Sequence, residues 1–483
     1  MHQTPFHCRI LPILILLAAT ALPAGAQEHT PQENAPPKPA AREILPIIVP
    51  GQDQNDQQPQ DPVTPDTSAL TGAENFTLGA PEMRHSYWVP GFSIQNSAQS
   101  SQNGANNWIW ASYLLGTLSA RLASRHSELA LNYSGGGSVS NSSTLPNSYY
   151  HELSFSQTFT WNRWKLVFLD QFSYLPQSSF GFGGVSGIST PGVGGSLGAA
   201  FPGLQNNYSP GQNLFSANVL RVNNSVVTEV DYSFTPRSSI TVSGSYGILD
   251  FLQGNNLLGN NINTNDEIAS LGYNYDMTRR DTIGVLYRFT GYQYVGTPQR
   301  LKDHTISLAY GRKITGRLAL QVFGGPDVTM FSVPIGGVSE RNSFSGSASL
   351  IYGLPRGSVS IKYSHGVSGG SGVLVGSSLD RVDTEFSRWL AGRWDTNVAV
   401  GFARNGALSS SLTGTSTPAL LSLFVSAGLN RQLGNTTSFS LSYMFGHQNS
   451  SQAVCPTGGC GSNYMQHQIW VGFRWRARPL VIR

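Results

Sequence analysis

The stretch Asp266–Tyr292, DEIASLGYNYDMTRRDTIGVLYRFTGY, decides the fold. Ala269, Leu271, Tyr273, Tyr275 and Met277 share one parity, and Ser270, Gly272, Asn274 and Asp276 share the other. After the turn Thr278-Arg279-Arg280-Asp281 the alternation resumes, with Ile283, Val285, Tyr287 and Phe289 set against Thr282, Gly284, Arg288 and Thr290, and with Leu286 as the exception. Successive side chains of a β-strand point to opposite faces, so each segment has one apolar and one hydrophilic face. In a water-soluble sandwich the apolar face would be the core. In a membrane barrel it meets lipid, and the hydrophilic face looks into the lumen.

Composition separates the two. Of 483 residues 39% are hydrophobic, 11% aromatic and only 12% charged, with 53 Gly, whereas a soluble domain carries about 25% charged residues. Past the N-terminus no run approaches the ~20 apolar residues of a transmembrane helix. Low charge without long apolar runs is the composition of a transmembrane barrel, whose lipid-facing residues are diluted by lumen residues. Charge also follows the alternation. Arg121, Glu128, Glu152, Lys165, Glu229, Asp231, Asp276, Arg288, Lys362, Arg381, Asp383, Glu385 and Arg474 all fall on the small-polar face and, with Asn274, are read as channel-lining. Asp170 shares the parity of Phe168 and Phe172 and breaks the rule; a bulge near Leu169, or a covering other than lipid, would account for it. The net charge of +4 is too small to argue for a nucleic-acid partner.

Residues 1–26 read as a secretory signal: Arg9, the apolar run Ile10 to Leu22, and the small-residue site Ala24-Gly25-Ala26. Residues 27–82, rich in Pro, Gln and Asn, read as a disordered periplasmic linker. Its one apolar island, residues 42–50, is either a sticky patch or a peptide that docks on a periplasmic partner by strand addition, although Pro46 removes a backbone donor there. The island also resembles the energy-coupling box of active outer-membrane receptors, which implies a plugged barrel of about 22 strands, and the chain has no room for a folded plug. Cys455 and Cys460 bracket Pro-Thr-Gly-Gly in a late loop, where an exported chain makes a local disulfide the default. That loop offers too few ligands for a metal, and no cofactor is expected.

Residues 83–476 read as a transmembrane antiparallel up-and-down β-barrel of eighteen strands, with sixteen as the alternative, followed by a short extension, 477–483. The first strand lies near His85 to Gln95, with Pro90 confining it to an edge or strand end; the second runs from Trp108 to Leu122. Eight tight turns fall near 124–127, 162–163, 235–238, 278–281, 314–317, 354–357, 390–393 and 431–435. Nine connections, mostly longer, fall near 97–106, 135–147, 176–223, 250–265, 293–303, 326–342, 366–377, 405–417 and 447–463. Short periplasmic turns opposite longer external loops is the asymmetry of bacterial barrels. Trp108, Trp110, Trp161, Trp164, Trp389, Trp394, Phe473 and Trp475 gather near strand ends, where amphipathic rings settle at the headgroups.

The last strand, about Gln466 to Arg476, sets Ile469, Val471, Phe473 and Trp475 against Gln468, Trp470, Gly472 and Arg474. It resembles the aromatic-ending terminal strand of outer-membrane porins, which implies assembly by the barrel insertion machinery, but residues 477–483 extend past the aromatic. In strand number, repeat plan and signal the chain is similar to general porins. That resemblance implies a bacterial outer-membrane location among outer-membrane lipids, a homotrimer, and a third external loop folded into the barrel. That loop, 177–222, carries no charge before Arg221, and Phe180, Phe182, Val185, Ile188 and Phe201 are its candidate constriction contacts.

Sixteen to eighteen strands leave an aqueous channel, and lumen charges of both signs select ions weakly. The expected function is passive passage of small hydrophilic solutes. The chain also resembles barrels of exopolysaccharide export systems, which implies an exit conduit instead. An enzyme, or a structural or adhesion barrel, is the remaining alternative. His85, His126, His151, His304, His365, His447 and His467 are scattered, without a triad or zinc spacing, so no catalysis is expected.

Overall fold

The computed structural model describes residues 86–100, 108–142, 147–175, 220–252, 262–278, 280–335, 337–354, 356–370, 374–390, 394–408, 419–450 and 463–482, all within one compact unit. Residues 1–26, read as a signal, residues 27–82, read as a linker with its island 42–50, the five candidate constriction residues Phe180, Phe182, Val185, Ile188 and Phe201, and both Cys455 and Cys460 lie outside the described residues.

Eighteen long strands follow one another. They are β1 (Tyr87–Ser100), β2 (Trp108–Ala123), β3 (Ser127–Ser140), β4 (Ser148–Thr160), β5 (Trp164–Leu175), β6 (Arg221–Thr235), β7 (Ser238–Phe251), β8 (Thr264–Asp276) and β9 (Asp281–Tyr294). The second half comprises β10 (Arg300–Lys313), β11 (Leu318–Ile335), β12 (Val338–Leu354), β13 (Gly357–Ser368), β14 (Ser377–Trp389), β15 (Trp394–Ala407), β16 (Ala419–Gln432), β17 (Thr437–Ser450) and β18 (Asn463–Arg476). Each pairs antiparallel with its neighbours, and β18 returns to β1 from Gly91↔Arg476 to Gln99↔Gln468. The sheet is therefore closed and has no free edge, the condition under which a sheet can stand in hydrocarbon.

Exposure sorts the two faces. Outward Leu271 and Tyr273 are 51% and 43% exposed, while Ser270 and Asn274 between them are 5% and 0%. The outward apolar belt of Val285, Ile306, Leu308, Ile361, Val400, Leu441 and Phe473 continues around the barrel. No helix among the described residues is long and apolar enough to cross a membrane; the strands do the spanning.

Three of the tight turns share a local device. In Thr235-Pro236-Arg237, Thr278-Arg279-Arg280 and Thr315-Gly316-Arg317 the backbone N–H of the arginine donates to the Thr Oγ1, at 3.2, 3.0 and 3.2 Å. A Thr hydroxyl that accepts two residues on fixes a turn, which is why these short connections read as Thr-x-Arg.

Three sequence expectations change. The connection expected at 326–342 is mostly strand: β11 runs on to Ile335, β12 begins at Val338, and Gly337 just before it takes φ +83°. Pro326 explains the misreading, since it interrupts the β10–β11 ladder between Thr305↔Asp327 and Leu308↔Gly324 while β11 continues. Gly325 lets the backbones close up there; a Cβ on it would lie 1.8 Å from the Ile306 carbonyl oxygen. The connection expected at 135–147 shrinks because β3 extends to Ser140. Asp170 is outward without any bulge, both ladders of β5 being continuous through it, and Asn224 Nδ2 donates to its Oδ1 at 2.9 Å.

Pro90 sits inside β1, at a gap. The β18 ladder stops at Gly91, and a short β19 (Leu480–Val481) pairs with Trp88 and Tyr87 beyond it. The Pro90 carbonyl accepts from Ala477 N on that side at 2.9 Å. Because N–H and C=O of one residue point the same way in an antiparallel strand, its missing donor falls where the partner strand is interrupted. The residues after Trp475 thus add to the closing seam.

Asp170 belongs to an outward polar series. Tyr133, Tyr287 and Tyr443 are each the seventh residue of β3, β9 and β17, and each meets a histidine Nδ1 diagonally on the next strand: His151 at 3.0 Å, His304 at 2.9 Å and His467 at 2.8 Å. On β13 the seventh residue, Tyr363, donates to Asp380 Oδ1 at 3.2 Å, and that carboxylate also holds His365 at 2.6 Å and Arg404 at 3.5 Å. Asp170 is the seventh residue of β5, with Asn224 on the same diagonal.

Candidate channel interior

The inward face is hydrophilic because the small-polar parity of every strand turns inward. Arg121, Glu128, Glu152, Lys165, Glu229, Asp231, Asn274, Asp276, Arg288, Lys362, Arg381, Asp383, Glu385 and Arg474 all lie on it, spread over β2 to β18. Several are brought together. Arg121 Nη2 lies 2.7 Å from Glu128 Oε1. Arg381 holds Asp383 with two contacts, Nε to Oδ2 at 2.7 Å and Nη2 to Oδ1 at 3.0 Å, the bidentate geometry that makes Arg–carboxylate pairs strong. Lys362 stands directly across from Asp383. Lys165 stands across from Asp231, whose Oδ1 accepts from Thr241 Oγ1 at 2.6 Å, with Glu229 one inward step along β6. Asp276 Oδ1 accepts from Thr282 Oγ1 at 2.6 Å.

Sequence reasoning missed another inward group. Thr329 Oγ1 lies 3.0 Å from Asp303 Oδ1 and 3.3 Å from Asp327 Oδ1, and Thr305 Oγ1 lies 3.3 Å from Asp303 Oδ2. Arg288 stands beside Thr305 on β9, and Arg341 beside Thr329 on β12. Asp303, Asp327 and Arg341 fell in segments read as connections, so their alternation went unused. Inward Asp266 and Arg221, 1% exposed each, were missed at the same strand ends. Carrying the parity of Ser270 and Asn274 back to Asp266 would have found it.

The interior is not uniformly polar. Leu169, Val227, Ile268 and Leu286 form one inward apolar cluster, which accounts for the alternation defect at Leu286. Ala111, Tyr113, Leu115 and Trp470 form a second, with the Tyr113 and Trp470 rings 4.9 Å apart. A third joins Tyr294, Leu301, Phe331 and Leu408 near the external end. The connection from β13 to β14 packs on this last cluster. A Cβ on Gly376, whose φ is +75°, would lie 2.9 Å from Leu301 and Leu408, and one on Gly369 would lie 2.8 Å from the Tyr292 ring. Its glycines allow that approach across the mouth, from four strands away.

No group of three or more His, Cys, Asp or Glu among the described residues is placed to hold a metal ion.

An even number of antiparallel strands, closed, with short turns at one end and an apolar outer belt defines a transmembrane β-barrel of the bacterial outer-membrane, porin-like type. Among solved structures it is similar to Pseudomonas aeruginosa OccK5 (OpdH), at 10% identity over 81% of this chain and 98% of that one, with a TM-score of 0.43. It is also similar to the outer membrane protein OpdK of Pseudomonas aeruginosa (11% identity, 81% and 99% covered, TM-score 0.41) and to Pseudomonas aeruginosa OprD (8%, 81% and 96%, 0.39). No family model matches the chain. No curated protein matches it either.

Proposed function

We propose that this barrel is a diffusion channel for small hydrophilic solutes in the bacterial outer membrane, with weak ion selectivity and no catalytic role. The observation that carries this reading is the inward face itself: hydrophilic between its apolar clusters, with acids and bases interleaved as Arg121–Glu128, Lys165–Asp231 and Arg381–Asp383. Eighteen strands are enough for an aqueous channel, and mixed-sign walls do not build the single-sign ring that selects ions. Planar-bilayer recording of the purified chain is expected to show stepwise conductance with a reversal potential near zero in a salt gradient. A silent bilayer would remove the channel; a strong cation or anion preference would remove the weak selectivity.

Arg381→Ala gives a sharper test, since it removes the guanidinium that holds Asp383 and leaves that inward carboxylate across from Lys362. One unit charge about 7 Å from a passing ion in water is worth ~0.6 kcal/mol. Losing it favours K⁺ and disfavours Cl⁻ by about threefold each, so the K⁺ over Cl⁻ permeability ratio should rise about eightfold. An unchanged reversal potential would mean that this cluster does not meet the ion path.

A second reading, a conduit for an exported sugar polymer, draws on the Ser, Thr and Asn hydroxyls and amides of the inward face, such as Ser270, Asn274 and Thr329, which suit sugar hydroxyls. Long oligosaccharides that block the conductance for resolvable times, where small sugars pass, would favour it.

A further inference from the structure

On the outward side of β8–β13 the apolar belt is recessed into a groove of about 820 Å³, within the ~300–1,000 Å³ of small-molecule sites. Its floor is Gly324, Gly346 and Ala348, small residues that face one another or Val322 across the β11–β12 ladder. Leu308 and Tyr310 stand on one side and Tyr363 on the other. Phe344 lies over the external end, its ring 2.8 Å from where a Gly324 Cβ would be. The remaining trough runs toward the periplasmic turns.

At that end the chemistry changes abruptly. Tyr310 donates its hydroxyl to Asp281 Oδ1 at 2.9 Å, and Arg312, the next outward residue, lies 3.6 Å from the same carboxylate. Arg280 and Arg317 occupy the two turns just below, both exposed, and neither makes an ion pair among the described residues. An apolar trough at hydrocarbon depth thus ends on a rim with three guanidiniums and one carboxylate.

We propose that this face binds an anionic glycerophospholipid of the periplasmic leaflet, with one acyl chain in the trough and the phosphate at Arg280 and Arg317. A second copy of the chain fits less well. Copies in one membrane share an orientation, so two such faces would bring their basic rims together at the same depth.

The test is native mass spectrometry of the full mature chain in detergent, after incubation with equimolar phosphatidylglycerol and phosphatidylethanolamine. One retained phosphatidylglycerol per chain is expected. Ala348→Trp, which fills the floor, should abolish retention, whereas Ala427→Trp, outward on β16, should not. Arg280→Gln with Arg317→Gln should lower the preference for phosphatidylglycerol about thirtyfold, each of the two basic groups near a membrane surface being worth ~1 kcal/mol. This double variant leaves the trough intact and serves if Ala348→Trp fails to fold. Equal retention in Ala348→Trp, equal binding of the two lipids by the unaltered chain, or copy-to-copy disulfides formed by Ala348→Cys would each overturn the proposal. None of these readouts depends on conductance, so the lipid site and the channel can fail separately.

Discussion

Ile361→Arg is expected to prevent stable insertion, while Ser360→Arg, one residue earlier, leaves the barrel folded. Ile361 lies on the outward face of β13, 46% exposed, with Leu350 and Thr384 as its ladder neighbours. An arginine there meets hydrocarbon and costs roughly 2–4 kcal/mol near the bilayer midplane. Ser360 turns inward and stands directly across from Glu385, so an arginine at that position gains a carboxylate and stays in the lumen. The measurement is the folded fraction after refolding into liposomes, read from heat-modifiable electrophoresis. Equal losses for the two variants would mean that the faces are assigned wrongly, and the transmembrane reading would go with them.

Ending the chain after residue 462 is expected to abolish the folded barrel altogether. That truncation removes β18, and with it both the β17–β18 and β1–β18 ladders. Two strands would then present unpaired backbone groups to lipid, each costing several kcal/mol. Removing only residues 477–483 should be mild. It deletes β19 and its bonds to Tyr87, Trp88 and Ser86, and leaves a chain that ends on the aromatic-bearing β18. A folded product from the longer truncation, or complete loss of folding from the shorter one, would show that closure resides elsewhere than at the seam described.

The strand plan was legible because alternation is a local property. Each face of β8 and β9 can be read from a dozen residues, and the turn chemistry of Thr-x-Arg marks where the pattern restarts. Legibility failed where one residue outvoted the pattern. Pro326 denies a donor to only one neighbouring strand, yet from sequence it looks like a terminator, and reading it so hid Asp327 and Arg341. Leu286 and Asp170 looked like errors because alternation is scored strand by strand, whereas their reasons lie across strands: Leu286 packs with Leu169, Val227 and Ile268, and Asp170 accepts from Asn224. The β13–β14 connection carried even less signal. Gly-rich sequence states that the backbone can bend closely, and only the positions of Leu301, Tyr292 and Leu408 say where it goes.

The outward tyrosine diagonals carry a consequence for where the molecule can live. His151, His304, His467 and Asp380 each stand level with the ninth residue of the strand that bears their tyrosine. Eight steps of about 3.3 Å, tilted about 40°, rise about 20 Å. Those side chains draw a waterline, and the oily collar beneath it is short. Inner membranes and eukaryotic plasma membranes are thicker than this, while the bacterial outer membrane is thinner than average. The same ladder of pairs that holds neighbouring strands in step therefore also sets the height of the collar, for which a thicker bilayer is a mismatched one.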